Sequence, residues 1–149
     1  MKKANWILPC LLCAVLSACS ARAVSGQGCE QMVYRHQNQI DPKPIELRQV
    51  RGTGVDPDGI AVPQLCIGIF SEPEHKLVRY AASDNNGGFA VETNGLPDGE
   101  YRLVVDVIGF CPANAIIRIK SRSHRKKSLV AHMRVSAVDS CSFVEASKN

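Results

Sequence analysis

From residue 45 onward the chain consists of short apolar or alternating runs separated by turn sequences, and this pattern restricts the fold more than any other feature. Residues 65–70 are apolar on both faces, as a central strand is. Residues 101–107 alternate between apolar side chains and arginine or aspartate. Turn-forming sequences occupy residues 84–88 and 96–99, and helix signals are absent. About seven strands, with a turn roughly every ten residues, predict an all-β antiparallel sandwich.

The amino terminus has the three-part pattern of a secretory signal. Lys2 and Lys3 provide a positive head, and residues 6–16 form an apolar run that only Pro9 interrupts. This run is too short to span a bilayer, and small residues follow it. We therefore predict that residues 1–18 are an export signal, and that the chain has no transmembrane helix.

The sequence Leu16-Ser17-Ala18-Cys19 follows this run directly and resembles the lipobox of bacterial lipoproteins. The resemblance implies that the thiol of Cys19 carries diacylglycerol, and that the new amino terminus is acylated, for example with palmitate. Two or three acyl chains would give a durable membrane anchor. In lipoproteins of enteric bacteria, an aspartate directly after the lipidated cysteine is the signal for retention in the inner membrane. Ser20 occupies that position here, which favours the outer membrane. The alternative is ordinary signal-peptidase cleavage at residues 21–23, which would remove Cys19.

The positive net charge of the chain, +4 at pH 7, comes partly from the export signal. Removal of residues 1–18 takes away two lysines and no acidic residue, which leaves 16 basic against 14 acidic residues. The remaining charge of +2 gives no electrostatic footprint for nucleic acid. We therefore expect no nucleic-acid partner.

The seven cysteines fall into two groups. Cys10 and Cys13 leave with the signal, and Cys19 is the predicted lipid carrier. The other four are Cys29, Cys66, Cys111 and Cys141. An even number in an exported chain predicts two disulfides, with three connectivities open. A metal site is the alternative, but these cysteines lie 30 to 45 residues apart and lack the C-x-x-C spacing.

Composition divides the mature chain into three parts. Residues 19–45 are polar, contain Pro42 and Pro44, and suit a lipidated arm or linker. Residues 46–136 contain the predicted strands and form one β-sandwich domain, which the length of the chain favours. Residues 137–149 form a C-terminal tail that a disulfide ties down.

Sequence pieces within residues 46–136 resemble the carboxypeptidase regulatory-like domain. GTGVD at residues 52–56 is similar to its first strand and turn, and SDNNGGF at residues 83–89 to its T-D-x-x-G-x-F turn. LPDGEYRL at residues 96–103 is similar to its L-P-x-G-x-Y-x-L signature. The resemblance implies a transthyretin-like (prealbumin-like), antiparallel seven-stranded Greek-key sandwich, in which Gly99 turns the chain and Tyr101 begins a core face. This domain occurs as a non-catalytic module in many exported proteins.

The resemblance also implies a disulfide pairing. In the prealbumin-like sandwich the second strand runs antiparallel beside the strand that begins at Tyr101. Cys66 lies near the start of the second strand, and Cys111 lies just past the end of the strand that begins at Tyr101. Antiparallel neighbours bring such ends together, so the resemblance implies that these two cysteines are bonded. Cys29 and Cys141 would then pair with each other and pin the arm to the tail.

Two enzyme families share this architecture, and the chain departs from both. Hydroxyisourate hydrolase ends in a Tyr-Arg-Gly-Ser motif that residues 145–149 do not contain. Intradiol dioxygenases hold iron with two tyrosines and two histidines. The tyrosines and histidines of this chain are Tyr34, Tyr80, Tyr101, His36, His75, His124 and His132. They include no closely spaced His-x-His pair, which argues against an iron site.

Other sequence features give no stronger sign of catalysis. The GTG sequence at residues 52–54 lacks the helix and the lysine of a phosphate-binding loop, and is interpreted as a turn. The acidic residues at 56–58 and 72–74 lie in turns, where solvated carboxylates are expected. We therefore predict no catalytic residue, no metal and no cofactor. The alternative is an unrecognised hydrolase or metal enzyme on the same frame.

One connection between predicted strands concentrates positive charge. It carries four fixed positive charges, on Arg122, Arg125, Lys126 and Lys127. A solvated hairpin loop is the simplest explanation of such a run. The functional alternative is contact with anionic lipid head groups, lipopolysaccharide or an acidic polymer such as peptidoglycan.

These observations predict a lipid-anchored envelope lipoprotein, monomeric or weakly associating, whose sandwich acts as a binding or scaffold module. Its expected partners are the membrane, through the anchor, and an envelope protein or anionic polymer. Histidine and carboxylate side chains that converge in a deep pocket would instead indicate an enzyme. An exposed apolar patch would indicate assembly into a larger envelope complex.

Overall fold

The computed structural model describes residues 28–34, 43–123, 127–135 and 141–147. Eleven strands and one 3-10 turn, Cys29–Gln31, lie in these ranges. The strands are β1 (Ile45–Leu47), β2 (Val50–Val55), β3 (Cys66–Ser71), β4 (Leu77–Ala82), β5 (Gly88–Val91), β6 (Gly99–Asp106), β7 (Phe110–Cys111), β8 (Ala113–Ile119), β9 (Leu129–His132), β10 (Arg134–Val135) and β11 (Phe143–Ala146). Several residues that the sequence singles out lie outside the described residues, namely Cys19, His36, His124, Arg125 and Lys126.

Nine of the described strands form one mixed sheet around a shared core. Along the sheet the strands follow the order β4-β3-β6-β8-β11-β9-β2-β5, and β1 pairs in addition with β8. β7 and β10 form a separate antiparallel ribbon. The prediction of an all-β fold is confirmed.

The prediction of a purely antiparallel, seven-stranded arrangement is wrong. β2 runs parallel to β9, and β8 has parallel partners in both β1 and β11. β11 also comes from the segment that was expected to be a tail. Alternation along a strand shows which side chains face the core, but it contains no information about which strands pair or in which direction.

The pairing of β3 with β6 is one strand partnership that was expected. β3 and β6 are antiparallel neighbours, with Cys66 opposite Asp106 and Ser71 opposite Tyr101. Tyr101 and the alternate residues after it in β6 are buried in the core, as the sequence predicts. Buried side chains of β2 and β9 pack in the same core cluster, so the two halves of the sheet enclose one apolar interior.

A segment ahead of the first strand covers the outer face of β3. This segment, residues 28–34, is called the strap here. The sulfur of Met32 lies over Gly68, where a Cβ atom would come within 3.1 Å of it. The ring of Tyr34 lies 5.8 Å from that of Phe70, measured between centroids, and Phe70 is buried outside the main core cluster. This second covered face explains why the strand is apolar on both sides.

Two expected turn glycines instead lie within strands. Gly99 is the first residue of β6, and the turn before that strand uses Gly95, whose φ of 79° favours glycine. Gly52 is part of β2, opposite Leu129 of β9. A Cβ atom at Gly52 would lie 2.8 Å from the carbonyl carbon of Leu129, so the close approach of the two backbones requires glycine.

The strands end at two opposite ends of the domain. At the first, called the cysteine end, β3 and β8 begin and β2, β6 and β9 end. At the second, called the basic end, β8 ends and the positively charged connection leads toward β9. Because β6 has eight residues, the two ends are about 26 Å apart.

Candidate functional site

The four cysteines of the described ranges form two disulfides, as predicted, but with a different pairing. Cys29 is bonded to Cys66, with a Cα–Cα distance of 5.2 Å. Cys111 is bonded to Cys141, with a Cα–Cα distance of 5.4 Å. The predicted pairs, Cys66 with Cys111 and Cys29 with Cys141, are therefore wrong.

The register around β6 explains this correction. Cys66 lies opposite Asp106 on one side of β6, whereas Ala113 of β8 lies opposite Val105 on the other side. Cys111 ends β7, two residues before β8 begins, so it is about two strand spacings, or roughly 9.5 Å, from Cys66. A disulfide requires Cα atoms about 4.4–6.8 Å apart. Each of these cysteines therefore pairs away from β6, one with the strap and the other with the segment before β11.

A cationic cleft of about 300 Å³ lies near the basic end, where β1 runs beside β8. Its lining residues are Lys43, Pro44, Glu46, Arg118 and Lys127. The three cations come from three separate segments, and only Lys127 belongs to the basic run that the sequence singles out. Sequence reasoning missed Lys43 and Arg118 because neither lies in a charged run. Their convergence depends on the parallel pairing of β1 with β8.

Ion pairs order one wall of this cleft. Glu46 and Arg118 face each other on β1 and β8, with 3.5 Å between Oε1 and Nη1, and Lys120 Nζ donates to Glu46 at 2.8 Å. Arg118 also pairs with Glu100 of β6. The hydrogen bond and charge of Lys120, and then the charge of Arg118, hold the pKa of Glu46 below its usual range. The hydrogen bond to Glu100 raises the pKa of Arg118.

The basic connection is fixed at its first residues. The backbone N–H of Ser121 donates to Oδ1 of Asp98 at 2.9 Å, and this bond is the main reason that the pKa of Asp98 is lowered. The charge of Arg122 lowers the same pKa to a smaller extent. Arg122 itself is exposed, and Lys127 is half-buried at the other side of the connection. These two are the predicted cations that the structure describes.

The titratable side chains considered for catalysis are spread over the molecule. His75 pairs with Glu72 at 2.9 Å, and its ring lies 4.1 Å from that of Tyr34. His132 pairs with Glu145 at 3.1 Å, near the opposite end of the domain. Within the described ranges, no three His, Cys, Asp or Glu side chains come together as metal ligands.

Tyr101 has a structural role. Its hydroxyl donates to the carbonyl oxygen of Pro97 at 2.8 Å, and its side chain belongs to the core cluster. Burial raises the pKa of Tyr101 above its ordinary value of 10.0. This position is the core tyrosine that the sequence motif implies.

A larger groove, of about 570 Å³, opens at the cysteine end beside the Cys29–Cys66 disulfide. One wall is the strap and the other is the turn after β6. Its lining residues are Gly28, Gln31, Met32, Val33, Gln64, Cys66, Asp106, Val107 and Ile108. Sequence reasoning missed this groove because only the fold and the disulfide bring its two walls together. The sequence feature that points to the groove is Ile108-Gly109, because an isoleucine stands there in a turn.

The structure thus defines a small all-β domain with two disulfides, a cationic cleft at one end and a partly apolar groove at the other. Comparison of the chain with family models, with curated proteins and with solved structures found no match. No helix in the part of the chain that the structure describes is long and apolar enough to cross a membrane.

Proposed function

We propose that the protein is a lipoprotein of the bacterial envelope, anchored through Cys19 to the outer membrane, whose sandwich is a non-catalytic binding module. Its ligand is anionic envelope material that carries phosphate or carboxylate groups, such as lipopolysaccharide or an acidic polymer. The observation that carries the proposal is the convergence of Lys43, Arg118 and Lys127 in one cleft beside the basic connection.

The balance of charge around the cleft favours an anionic ligand. Nearby cations are Lys43, Arg118, Lys120, Arg122 and Lys127, and the carboxylates in contact with this group belong to Glu46, Asp98 and Glu100. Positive charge is therefore in excess here, although the mature chain is nearly balanced. A local excess of one sign raises the concentration of oppositely charged ligands at the surface.

The position of the arm supports the same assignment. The disulfide between Cys29 and Cys66 fastens the start of the described chain to the cysteine end, and the cleft lies near the other end. A protein held by a lipid at the amino-terminal side of Cys29 would direct its cleft away from that lipid. Ligands in the space beyond the membrane surface could then reach the cleft.

A transthyretin-like frame is also part of the proposal. The antiparallel pairing of β3 with β6 and the core position of Tyr101 support it, since the family resemblance implies both. The chain adds the strap, β1 and β11 to such a frame. The resemblance is to a module without a catalytic role, and the separation of His75 from His132 is consistent with a non-catalytic protein.

The binding proposal is tested with the double variant Lys43→Ser/Lys127→Ser. Binding of the full-length protein to lipopolysaccharide, measured by co-sedimentation, should weaken at least about fivefold, because two of the three cleft cations are removed. Wild-type binding should also be lost in about 0.5 M salt, since exposed charges are screened. The thermal midpoint should change little, because isolated surface charges contribute little to folding.

The matched control is Arg51→Ser/Lys76→Ser, which removes the same charge from two exposed positions outside the cleft. The control should bind as the wild type does. Equal loss in both double variants would show that net charge alone attracts the ligand, and would refute the cleft as the site.

The proposed anchor predicts that the mature amino-terminal peptide carries a diacylglyceryl mass on Cys19. A mature amino terminus at Val24 would contradict the anchor.

A further inference from the structure

Exposed apolar side chains of the described residues gather at the cysteine end. The five large ones are Val33, Ile60, Tyr80, Ile108 and Val135. Tyr80 lies within β4 on the outer face of the sheet. The other four lie at the cysteine end: Val33 in the strap, Ile60 and Ile108 in connections, and Val135 in the short strand β10. Single exposed apolar residues are ordinary, whereas several at one end of a domain mark a contact surface.

Ile108 is the most exposed of these residues, at 99% of its full accessible area. It occupies a corner of the turn closed by a hydrogen bond from the N–H of Phe110 to the carbonyl oxygen of Val107, at 3.2 Å. Gly109 follows with a φ of 91°, as the next position of such a turn requires. Folding does not need an apolar side chain at this corner, where proline or a polar residue is common.

The strap lies directly beside this turn. Val33, whose side chain is 74% exposed, and Ile108 line the same groove of about 570 Å³. Met32 and Val107 add apolar surface to its walls. The groove and the two exposed side chains therefore form one surface, called the apolar rim here.

The amino-terminal arm joins the domain at this rim. Gly28 lines the groove and is nine residues after Cys19. Nine residues span at most about 30 Å when fully extended. The basic end lies a further ~26 Å away. A lipid on Cys19 is therefore tethered to the cysteine end, and the tether holds this end within about 30 Å of the bilayer.

We propose that the apolar rim rests on the lipid surface, with the side chains of Ile108 and Val33 in the boundary between head groups and acyl chains. This inference rests on the proposed lipid anchor. The nearby carboxylates of Glu30 and Asp106 disfavour anionic head groups, so the preferred lipid is zwitterionic. The two ends of the domain then have different partners: zwitterionic lipid at the cysteine end and anionic material at the basic end.

The test uses full-length lipoprotein reconstituted into phosphatidylcholine vesicles with brominated acyl chains, which quench nearby tryptophan. The only native tryptophan is Trp6, inside the export signal, so Ile108→Trp supplies a single reporter in the mature chain. Asn94→Trp is the control, because Asn94 is exposed in the turn between β5 and β6, at the basic end. Quenching of the Ile108→Trp protein should exceed that of the control by about threefold, since interfacial side chains lie within about 5–10 Å of the acyl boundary.

A second reporter, Val33→Trp, keeps the test decisive if Ile108→Trp fails to fold, and it should behave in the same way. Equal quenching of rim and control reporters overturns the lipid contact. A rim reporter that is already shielded from aqueous acrylamide without vesicles shows that a second copy or another segment covers the rim, and also overturns it.

The anchor has a separate readout. Protein that fails to float with the vesicles refutes both the anchor and the contact. Protein that floats without a diacylglyceryl mass on Cys19 refutes the anchor alone, and quenching still decides the contact. Replacement of about 30% of the phosphatidylcholine with anionic phosphatidylglycerol should not increase the rim signal, because carboxylates flank the rim.

Discussion

The close approach of β2 and β9 makes Gly52 a highly constrained position in the sheet. A Cβ atom there would meet the backbone of Leu129, which is fixed by the parallel pairing of the two strands. At Gly54 the obstacle would be the side chain of Leu65, which is fully buried but has other rotamers. The sequence shows the GTG motif, but the reason for its first glycine is visible only when β9 is in place.

We expect Gly52→Ala to destabilise the domain by about 1–3 kcal/mol, the usual cost of overpacking against atoms that cannot move aside. The control is Gly99→Ala, where the nearest atom to a Cβ would be Tyr101 Cε2 at 3.8 Å, an ordinary contact. That substitution should be neutral or stabilise slightly, because alanine reduces the freedom of the unfolded chain. Chemical denaturation of both variants measures the difference, and equal midpoints would disprove the steric argument.

The strap is attached to the sheet by side-chain contacts and not by regular strand pairing. The disulfide between Cys29 and Cys66 fixes its start, and the ring of Tyr34 packs near those of Phe70 and His75. Between these points Met32 covers Gly68. The strap thus shields the outer face of β3 and forms one wall of the apolar groove at the same time.

Removal of this disulfide in Cys29→Ser/Cys66→Ser should cost about 2–4 kcal/mol and release the strap from β3. The thioether of Met32 should then react faster with dilute hydrogen peroxide, which peptide mass spectrometry detects as the sulfoxide. Met133, fully buried in the core, serves as the internal reference. In Cys111→Ser/Cys141→Ser the loss of stability should be similar but Met32 should stay protected. Equal oxidation of Met32 in both double variants would mean that the disulfide does not hold the strap.

Across the whole molecule, local patterns predicted side-chain orientation well and strand partners poorly. The alternation around Tyr101 correctly indicates the core face of β6, because inward and outward positions depend only on the period of a strand. The partners of β1 and β11 could not be predicted, since parallel pairing joins segments far apart in the chain. The disulfide pairing was wrong for the same reason: it depends on which side of β6 each cysteine reaches.

The residues of the candidate sites also differ in whether the sequence alone could predict them. The basic run that contains Arg122 and Lys127 is a local feature, so the sequence shows it directly. Lys43 and Arg118 join it only because β1 lies beside β8, and the apolar rim exists only because a disulfide brings the strap to the turn after β6. Charge carried by a continuous run is therefore predictable, whereas a cleft assembled from several segments requires the fold.

Stability and anion binding should respond to acid in opposite directions. The pKa of Glu46 is lowered from its ordinary value of 4.5, mainly by Lys120, and that of Asp98 from 3.8, mainly by the Ser121 N–H. A carboxyl group with a lowered folded-state pKa stabilises the fold at pH values above its unfolded pKa, and this contribution is lost as pH falls through the folded value. The loss therefore begins as pH falls below about 4.5 and continues below 3.8.

Protonation of Glu46 also removes the carboxylate that faces the cleft cations, so the affinity for a polyanion that stays charged should rise over the same pH interval. Thermal midpoints and binding to dextran sulfate, both measured between pH 7 and pH 3, test the two responses. Glu46→Gln should flatten both curves, because it removes one titrating group, whereas Glu74→Gln, at an exposed position outside the cleft, should leave both as in the wild type. If Glu46→Gln retains the full wild-type pH dependence of binding, Glu46 does not control the charge of the cleft.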